Sequence, residues 1–515
     1  MLFNSYEFLF FFLPLTWIGF ELLVRAGKSR AGIAWLVVAS GIFYASWNEK
    51  LLLLLVGSLI VNFVIGRLLN NRFATNRRSS RPLLVVGLAF NLGLLGYFKY
   101  ANFFVDNFNA GFGTDLFLSH IVLPIGISFF TFQEIAFLVD SARGEAGRKN
   151  FLDFALFVTF FPQLIAGPIV HYNEVMPQFS DPNRKPAFQR LSIGLTILLV
   201  GLVKKLVIAD TMAVHATALF DAVAMQHEPA LIESWLATLA YSFQIYFDFS
   251  GYSDMAIGLG AMFGIRLPVN FASPYKATSI TDFWQRWHIT LSRFLRDYLY
   301  IAMGGNRRGA SRRYVHLMVT MVLGGIWHGA AWTFALWGAL HGGLLIIHRL
   351  WQGDPKNPRR RLPVWAARVL TFICVVLAWV PFRAPDIETA LVVYRGLFGL
   401  NGLILPEGIA QLFAAVPVLS EWIRPGFIHV AEPGRLILWI VVLFVVVWLL
   451  PNTHQWMARN SPALESKGYP ATAAVDASPF ISWRPNARYA LAMAIALYIC
   501  VVKLNDVSPF IYFQF

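Results

Sequence analysis

The sequence predicts an all-α polytopic membrane protein, and three observations carry that reading. Hydrophobic residues make up 57% of the 515 residues, above the roughly 45–50% apolar usage of soluble domains. Charged residues make up only 14%, against about 25% in soluble domains. Apolar runs recur along the whole length, each close to the ~20 residues that cross a hydrocarbon core. A soluble globule could not hide so much apolar surface, so a soluble enzyme and a disordered chain are excluded. A lipid-spanning barrel would show alternating segments of about ten residues, and the sequence has none.

Taken in order, spans are expected near 8–24, 31–47, 51–69, 83–98, 118–139, 190–209, 233–249, 315–333, 334–350, 365–382, 434–450 and 487–504. The first follows no basic n-region, and Arg25, Lys28 and Arg30 come after it, so it is read as a retained span and not a cleaved signal. Basic clusters lie at 25–30, 72–81, 143–149, 184–190, 276–313 and 349–361, whereas 101–117 and 210–232 are poor in Lys and Arg. The positive-inside rule puts the basic set in the cytosol.

The apolar segment 151–169 would set the clusters at 143–149 and 184–190 on opposite sides if it crossed. It is therefore read as re-entrant, and Pro162, Gly167 and Pro168 suit a broken helix buried in protein. The result is about 12 spans plus one re-entrant segment, with both termini outside, in a single membrane-embedded domain, 1–515. The largest non-spanning pieces are 250–314, 383–433 and 451–486, and no internal repeat is visible.

The formal net charge is +14. In a membrane protein this reads as basic loops against an anionic lipid surface, and no nucleic-acid partner is expected. Cys374 and Cys500 both sit in apolar runs and suggest neither a disulfide framework nor a thiolate metal site.

Three segments could carry chemistry. In 281–299, TDFWQRWHITLSRFLRDYL, helical spacing groups Asp282, Arg286, Arg293 and Asp297 against Trp284, Trp287, Leu291, Phe294, Leu295 and Tyr298. His288 falls on the apolar side, as a packed histidine or a functional one. The segment 317–347 has no Lys, Arg, Asp or Glu and holds His328 at its middle. An imidazole at that depth is a functional candidate by default. Gly324, Gly325, Gly329 and Ala330 around it allow either close helix approach or room for a substrate. On one continuous helix His341 would not share the face of His328, so no metal site is expected there. Third, Asp248 and Asp254 lie in YSFQIYFDFSGYSDMAIGLG, where capping, or pairing with Arg266 or Arg286, is favoured over hydrogen bonding to a polar substrate.

These motifs together resemble the membrane-bound O-acyltransferase family. The resemblance rests on HITLSRFLRDYLYIAMGGNRRG at 288–309 and GGIWHGAAWTFALWGALHG at 324–342. It extends through LPIGISFF at 123–130, FFPQLIAGPI at 160–169, VKKLVIADT at 203–211, YFDFSGYSDMAIGLG at 246–260 and SPFIYFQF at 508–515. Within the family the chain is most similar to the bacterial branch that O-acetylates exopolysaccharides such as alginate. Gln285 and His171 depart from the arginines common in relatives.

The resemblance implies a helical bundle around a central tunnel. It maps the family histidine onto His328 and a second polar site residue onto His288, both as catalytic candidates. It implies acetyl-CoA as a cytosolic donor substrate, no permanently bound cofactor and no metal. It also implies a periplasmic acetyltransferase-type partner with exopolysaccharide machinery, and a bacterial inner-membrane location. Imidazole titrates near neutral pH and suits a base beside an attacking hydroxyl, and an apolar tunnel would keep water from the thioester. The basic residues Arg286, Arg293, Arg296, Arg307, Arg308, Arg312 and Arg313 could attract donor phosphates or serve only as a topology anchor. The competing classes are a transporter or flippase, with His328 as proton relay, and a structural subunit of an export complex.

Overall fold

In a computed structural model the chain is mostly helical. The structure describes residues 1–75, 80–145, 150–181, 184–307, 309–354, 357–358, 362–411, 422–427, 430, 432–465, 482–506 and 510–511. Arg308, most of the 508–515 motif, and parts of the loops at 383–433 and 451–486 lie outside the described residues, as do parts of the basic clusters at 72–81, 143–149 and 349–361.

Contacts divide the chain into two compact units. One comprises 1–203, 251–270 and 453–514, the other 204–250, 271–452 and 515.

The first unit opens with a π-helical turn, Glu7–Phe12, running into α1 (Leu13–Arg25). Helix α2 (Ser29–Ala45) follows, and Trp35 Nε1 donates to the Thr16 carbonyl at 2.9 Å. Phe8, Phe12, Phe43 and Phe161 form a buried aromatic cluster with ring centroids 5.3–6.0 Å apart. Edge and tilted geometries of this kind suit the ring quadrupoles.

Helices α3 (Glu49–Thr75), α4 (Arg81–Leu95) and α6 (Ile127–Ala142) are joined by buried polar groups. Asn62 and Asn91 exchange amide hydrogen bonds at 2.6 and 3.3 Å, and Ser58 Oγ donates to Glu134 at 2.7 Å. Such bonds hold apolar helices in register where helix-to-helix hydrophobic driving force is lost in lipid.

Helix α5 (Ala101–Phe112) continues α4 through a π-turn at Gly96–Tyr100, so the segment expected as a loop at 101–117 is helical to Phe112. The span expected at 118–139 becomes helical only at Ile127. Pro124 lacks a donor, and Gly126 adopts φ +72° with Leu164 and Ile165 backbone crowding its missing Cβ.

The segment read as re-entrant is broken. Helix α7 (Phe151–Thr159) is capped by Asn150, ends at Phe160 with ψ 107°, and is followed by the short α8 (Phe161–Leu164). Nine residues of helix rise about 13.5 Å. After the single turn α9 (Tyr172–Val175), α10 (Ala187–Val203) packs through Gly194 and Gly201 on backbone atoms of Gly258 and Gly251.

The second unit starts in a π-turn, Lys204–Ala209, that leads into α11 (Asp210–Ala224). Residues 210–224, expected as loop, are therefore helix. Helix α12 (Leu231–Met262), whose residues to 250 belong to this unit and whose residues from 251 belong to the first, is longer than the span expected at 233–249. Helices α13 (Ile280–Trp284), α14 (Ile289–Phe294), α15 (Ala310–His328), α16 (Trp332–Gln352), α17 (Val364–Arg383) and α18 (Ile387–Leu397) follow. Phe220, Ala237, Val380, Val393 and Leu397 lie in a core shared by α11, α12, α17 and α18. Two short strand pairs join Gly353–Asp354 to Asn357–Pro358 and Leu403–Leu405 to Ile423–Pro425. Later helices are Pro433–Leu449 in this unit and Ala487–Lys503 in the first.

Among the described residues, five helical stretches are long and apolar enough to cross a membrane: Glu7–Arg25, Glu49–Asn71, Arg81–Phe112, Ala187–Ala224 and Val364–Arg383. The protein is thus a helical membrane protein.

Candidate active site

The helix expected across 281–299 is interrupted. Ser279 caps α13, its hydroxyl accepting from Asp282 N–H at 3.1 Å. The chain then turns, and His288 takes left-handed backbone angles, φ 42° and ψ 53°, before α14 begins. A non-glycine residue there costs roughly 1–3 kcal/mol and is typical of functional sites. The break rotates the second half of the segment. Arg286 pairs with Asp282 at 2.7 Å, but Arg293, expected on the same charged face, is buried.

The other histidine segment is also broken. Helix α15 ends at His328, Gly329–Ala331 are extended, and α16 returns against α15. The single-helix geometry used to place His341 away from His328 therefore does not hold. The small residues serve close approach and not open space. A Cβ on Gly325 would meet the Phe334 carbonyl and, at 3.1 Å, Gly338 Cα; one on Gly329 would meet the Phe334 ring.

These two breaks bring His288 and His328 together, with ring centroids 6.3 Å apart. Each is 4% exposed. His328 is walled by Trp337 and Phe382, each centroid 5.2 Å away and edge-on. His288 is walled by Phe271 at 5.9 Å and Phe249 at 6.5 Å, and Trp327 contacts both imidazoles. Buried histidines in an aromatic shell have low access to water, the condition a reactive acyl group requires.

Three further residues belong to this neighbourhood. His341 is fully buried, 4.8 Å from Trp337 by ring centroids, and Trp284 Nε1 donates to its Nδ1 at 3.3 Å. Trp337 is thus shared by His328 and His341. The signal for this was Gly329, directly after His328, where a glycine can mark a helix end.

The aspartates are paired, though not with the arginines expected. Asp248 accepts from Lys205 Nζ at 2.9 Å, and Lys205 also meets Asp210 at 2.8 Å. Asp254 accepts from Thr453 Oγ1 at 2.6 Å and lies 3.4 Å from His454 Nε2. Lys205 sits in the π-turn of the VKKLVIADT motif, a helical irregularity that sequence spacing does not reveal. Gln285 caps the end of α13, and His171 Nδ1 lies 3.5 Å from Asp140. Among the described residues no group of three His, Cys, Asp or Glu side chains could hold a metal ion, and both cysteines are free thiols.

Residues 72–378 match the model of the membrane-bound O-acyltransferase family. The chain is 41% identical over 522 residues to the probable alginate O-acetylase of Pseudomonas putida, covering 100% of both chains. It is 44% identical over 432 residues to the peptidoglycan O-acetyltransferase of Helicobacter pylori, 79% of this chain and 81% of that one. It is 27% identical over 268 residues to the teichoic acid D-alanyltransferase of Bacillus subtilis, 49% of this chain and 67% of that one. The chain belongs to the membrane-bound O-acyltransferase family, and it is an acyltransferase.

Proposed function

We propose that the protein transfers an acetyl group from cytosolic acetyl-CoA to a hydroxyl acceptor across the bacterial inner membrane, serving O-acetylation of an exopolysaccharide such as alginate through a periplasmic acetyltransferase-type partner. In this reading about twelve spans and the re-entrant segment 151–169 surround a tunnel, and the whole chain works as one membrane-embedded domain.

The observation that carries it is the buried pair His288 and His328 at 6.3 Å, a separation of roughly two hydrogen-bond lengths. His328 acts as general base on the attacking hydroxyl. His288 orients the thioester carbonyl or the acceptor hydroxyl, with a hydrogen bond that strengthens in the transition state. The hydroxyl oxygen bonds to the carbonyl carbon, the C–S bond breaks, and the proton taken up by His328 passes to the leaving thiolate. The full-length match to a probable alginate O-acetylase supports the acetyl group and the polymer. The relative named a peptidoglycan O-acetyltransferase favours a second acceptor, peptidoglycan, with the same chemistry.

The test uses sealed vesicles of known orientation, with labelled acetyl-CoA on the cytosolic face only and alginate or peptidoglycan oligomers on the other. Label should reach an acceptor in wild type and not in His328→Ala at equal protein level. Transfer only with both substrates on one side would refute the cross-membrane route. Full activity of His328→Ala would refute the assignment of the base.

A further inference from the structure

His341 is not part of the reading above, yet its surroundings give it a defined chemical state. An indole N–H can only donate. The Trp284 Nε1–Nδ1 contact at 3.3 Å therefore makes Nδ1 of His341 the acceptor, and the neutral ring carries its proton on Nε2. That Nε2 is buried and meets no hydrogen-bond partner among the described residues. The Nε1–H of Trp337 is in the same condition, and the Trp337 ring lies against His341 at 4.8 Å and against His328 at 5.2 Å. Orphaned buried donors are costly, and native folds keep few of them without a reason. Two neutral donors without an acceptor among the described residues, one of them on the ring that packs against both His341 and the base, suit a ligand atom that only accepts hydrogen bonds. A carbonyl oxygen is such an atom, and it becomes a stronger acceptor as it takes on negative charge.

We infer that His341 is a third catalytic residue, whose Nε2–H donates to the carbonyl oxygen of the bound acyl thioester, with Trp284 fixing the tautomer and Trp337 Nε1–H as an accessory donor. This rests on the acyl-transfer reading. As the acceptor oxygen bonds to the carbonyl carbon, the C=O electron pair moves onto oxygen and is held by Nε2–H. It returns as the C–S bond breaks and the thiolate leaves with the proton delivered by His328. Removing one such donor from a preorganised site typically costs about 10²–10³ in kcat.

The experiment compares His341→Gln and His341→Phe in the full-length protein in lipid nanodiscs, following thiol release from acetyl-CoA with a polysaccharide oligomer as acceptor. Glutamine keeps an N–H near the position of Nε2 and loses the ring. Phenylalanine keeps the ring that stacks on Phe283 and loses the N–H. The donor role predicts His341→Gln within about tenfold of wild type and His341→Phe lower by about 10²–10³ in kcat, with the KM for acetyl-CoA changed far less. Trp337→Phe, which keeps the aromatic wall, should lose part of kcat in the same sense. A packing role predicts the reverse order. His341→Phe at least as active as His341→Gln overturns the inference while leaving acyl transfer intact. A wild-type protein that releases no thiol from acetyl-CoA overturns the acetyl-CoA reading and this inference together.

Discussion

Gly338→Ala tests whether the close contact of α15 and α16 sets the geometry around His328. Gly338 faces backbone across the hairpin. A Cβ there would meet the Met321 carbonyl and would stand 2.8 Å from Val322 Cα, against the 3.4 Å at which ordinary contact begins. The neighbours are backbone, not the end of a flexible side chain, so relief requires the helices to part by about 0.6 Å or more. Overpacking of this kind costs typically 1–3 kcal/mol, offset by the roughly 1 kcal/mol that alanine gains over glycine inside a helix. Net destabilisation should therefore be modest, at about 0–2 kcal/mol. The catalytic effect should be larger. Trp337 is adjacent in the chain, and a misplacement of about 1 Å in an active site can cost 10²-fold, so kcat should fall by about 10- to 100-fold. Gly343 is the control. It lies on the same helix, and its Cβ would meet nothing within 4 Å, so Gly343→Ala should keep full kcat and unfold at or slightly above the wild-type temperature. Thiol release and thermal unfolding measured in the same lipid give both numbers. A kcat for Gly338→Ala within twofold of that for Gly343→Ala would refute the reasoning.

Two further outcomes follow from buried charge. Lys205→Met leaves Asp248 and Asp210 without the ammonium that both contact. Breaking a buried pair costs about 3–5 kcal/mol, so folded yield and unfolding temperature should drop sharply, and adding Asp248→Asn should recover part of the loss. Glu21→Gln removes the charge that meets Arg190 at 2.7 Å. Arg190 keeps the carbonyls of Met262 and Lys185 as acceptors, so the loss should be nearer 1.5–3 kcal/mol, read as a smaller fall in unfolding temperature than Lys205→Met gives.

The sequence made the helices legible and left their interruptions obscure. Hydropathy reports whether a segment prefers lipid, and most apolar runs expected as spans coincide with a helix, the first nine residues of 118–139 excepted. It does not report where an apolar helix stops. Nothing in the hydropathy of 281–299 separates Trp287 from His288, and the wheel drawn through both put Arg293 on the wrong face. Likewise a single helical wheel through 328 and 341 separates His341 from His328, although the spans expected at 315–333 and 334–350 already put a boundary between the two. Those glycines were legible as small, but only coordinates distinguish space for a substrate from space already taken by Phe334 and the facing backbone. Pairing of the aspartates was foreseeable because buried carboxylates need partners. The partner was not, since Lys205 is forty-three residues from Asp248 and faces it through a π-turn.

Both proposed site histidines sit at helix interruptions, and there is a physical reason. An unbroken apolar helix satisfies its own backbone and offers only side chains, whereas a break exposes backbone that must be buried in protein or lie against a polar cavity. His328 is the last residue of α15 and His288 precedes the first residue of α14. Each imidazole therefore projects from a point where the chain changes direction, and two such points can bring rings from distant segments together. The cost of roughly 1–3 kcal/mol at His288 is borne within a shell of Phe249, Phe271 and Trp327. The same arrangement predicts that substitutions at the packed glycines of this hairpin disturb the site more than one at a glycine with open space, such as Gly343. A helix facing lipid can shift by half an ångström with little consequence, but the α15–α16 hairpin carries His328 at the end of one arm and Trp337 and His341 on the other.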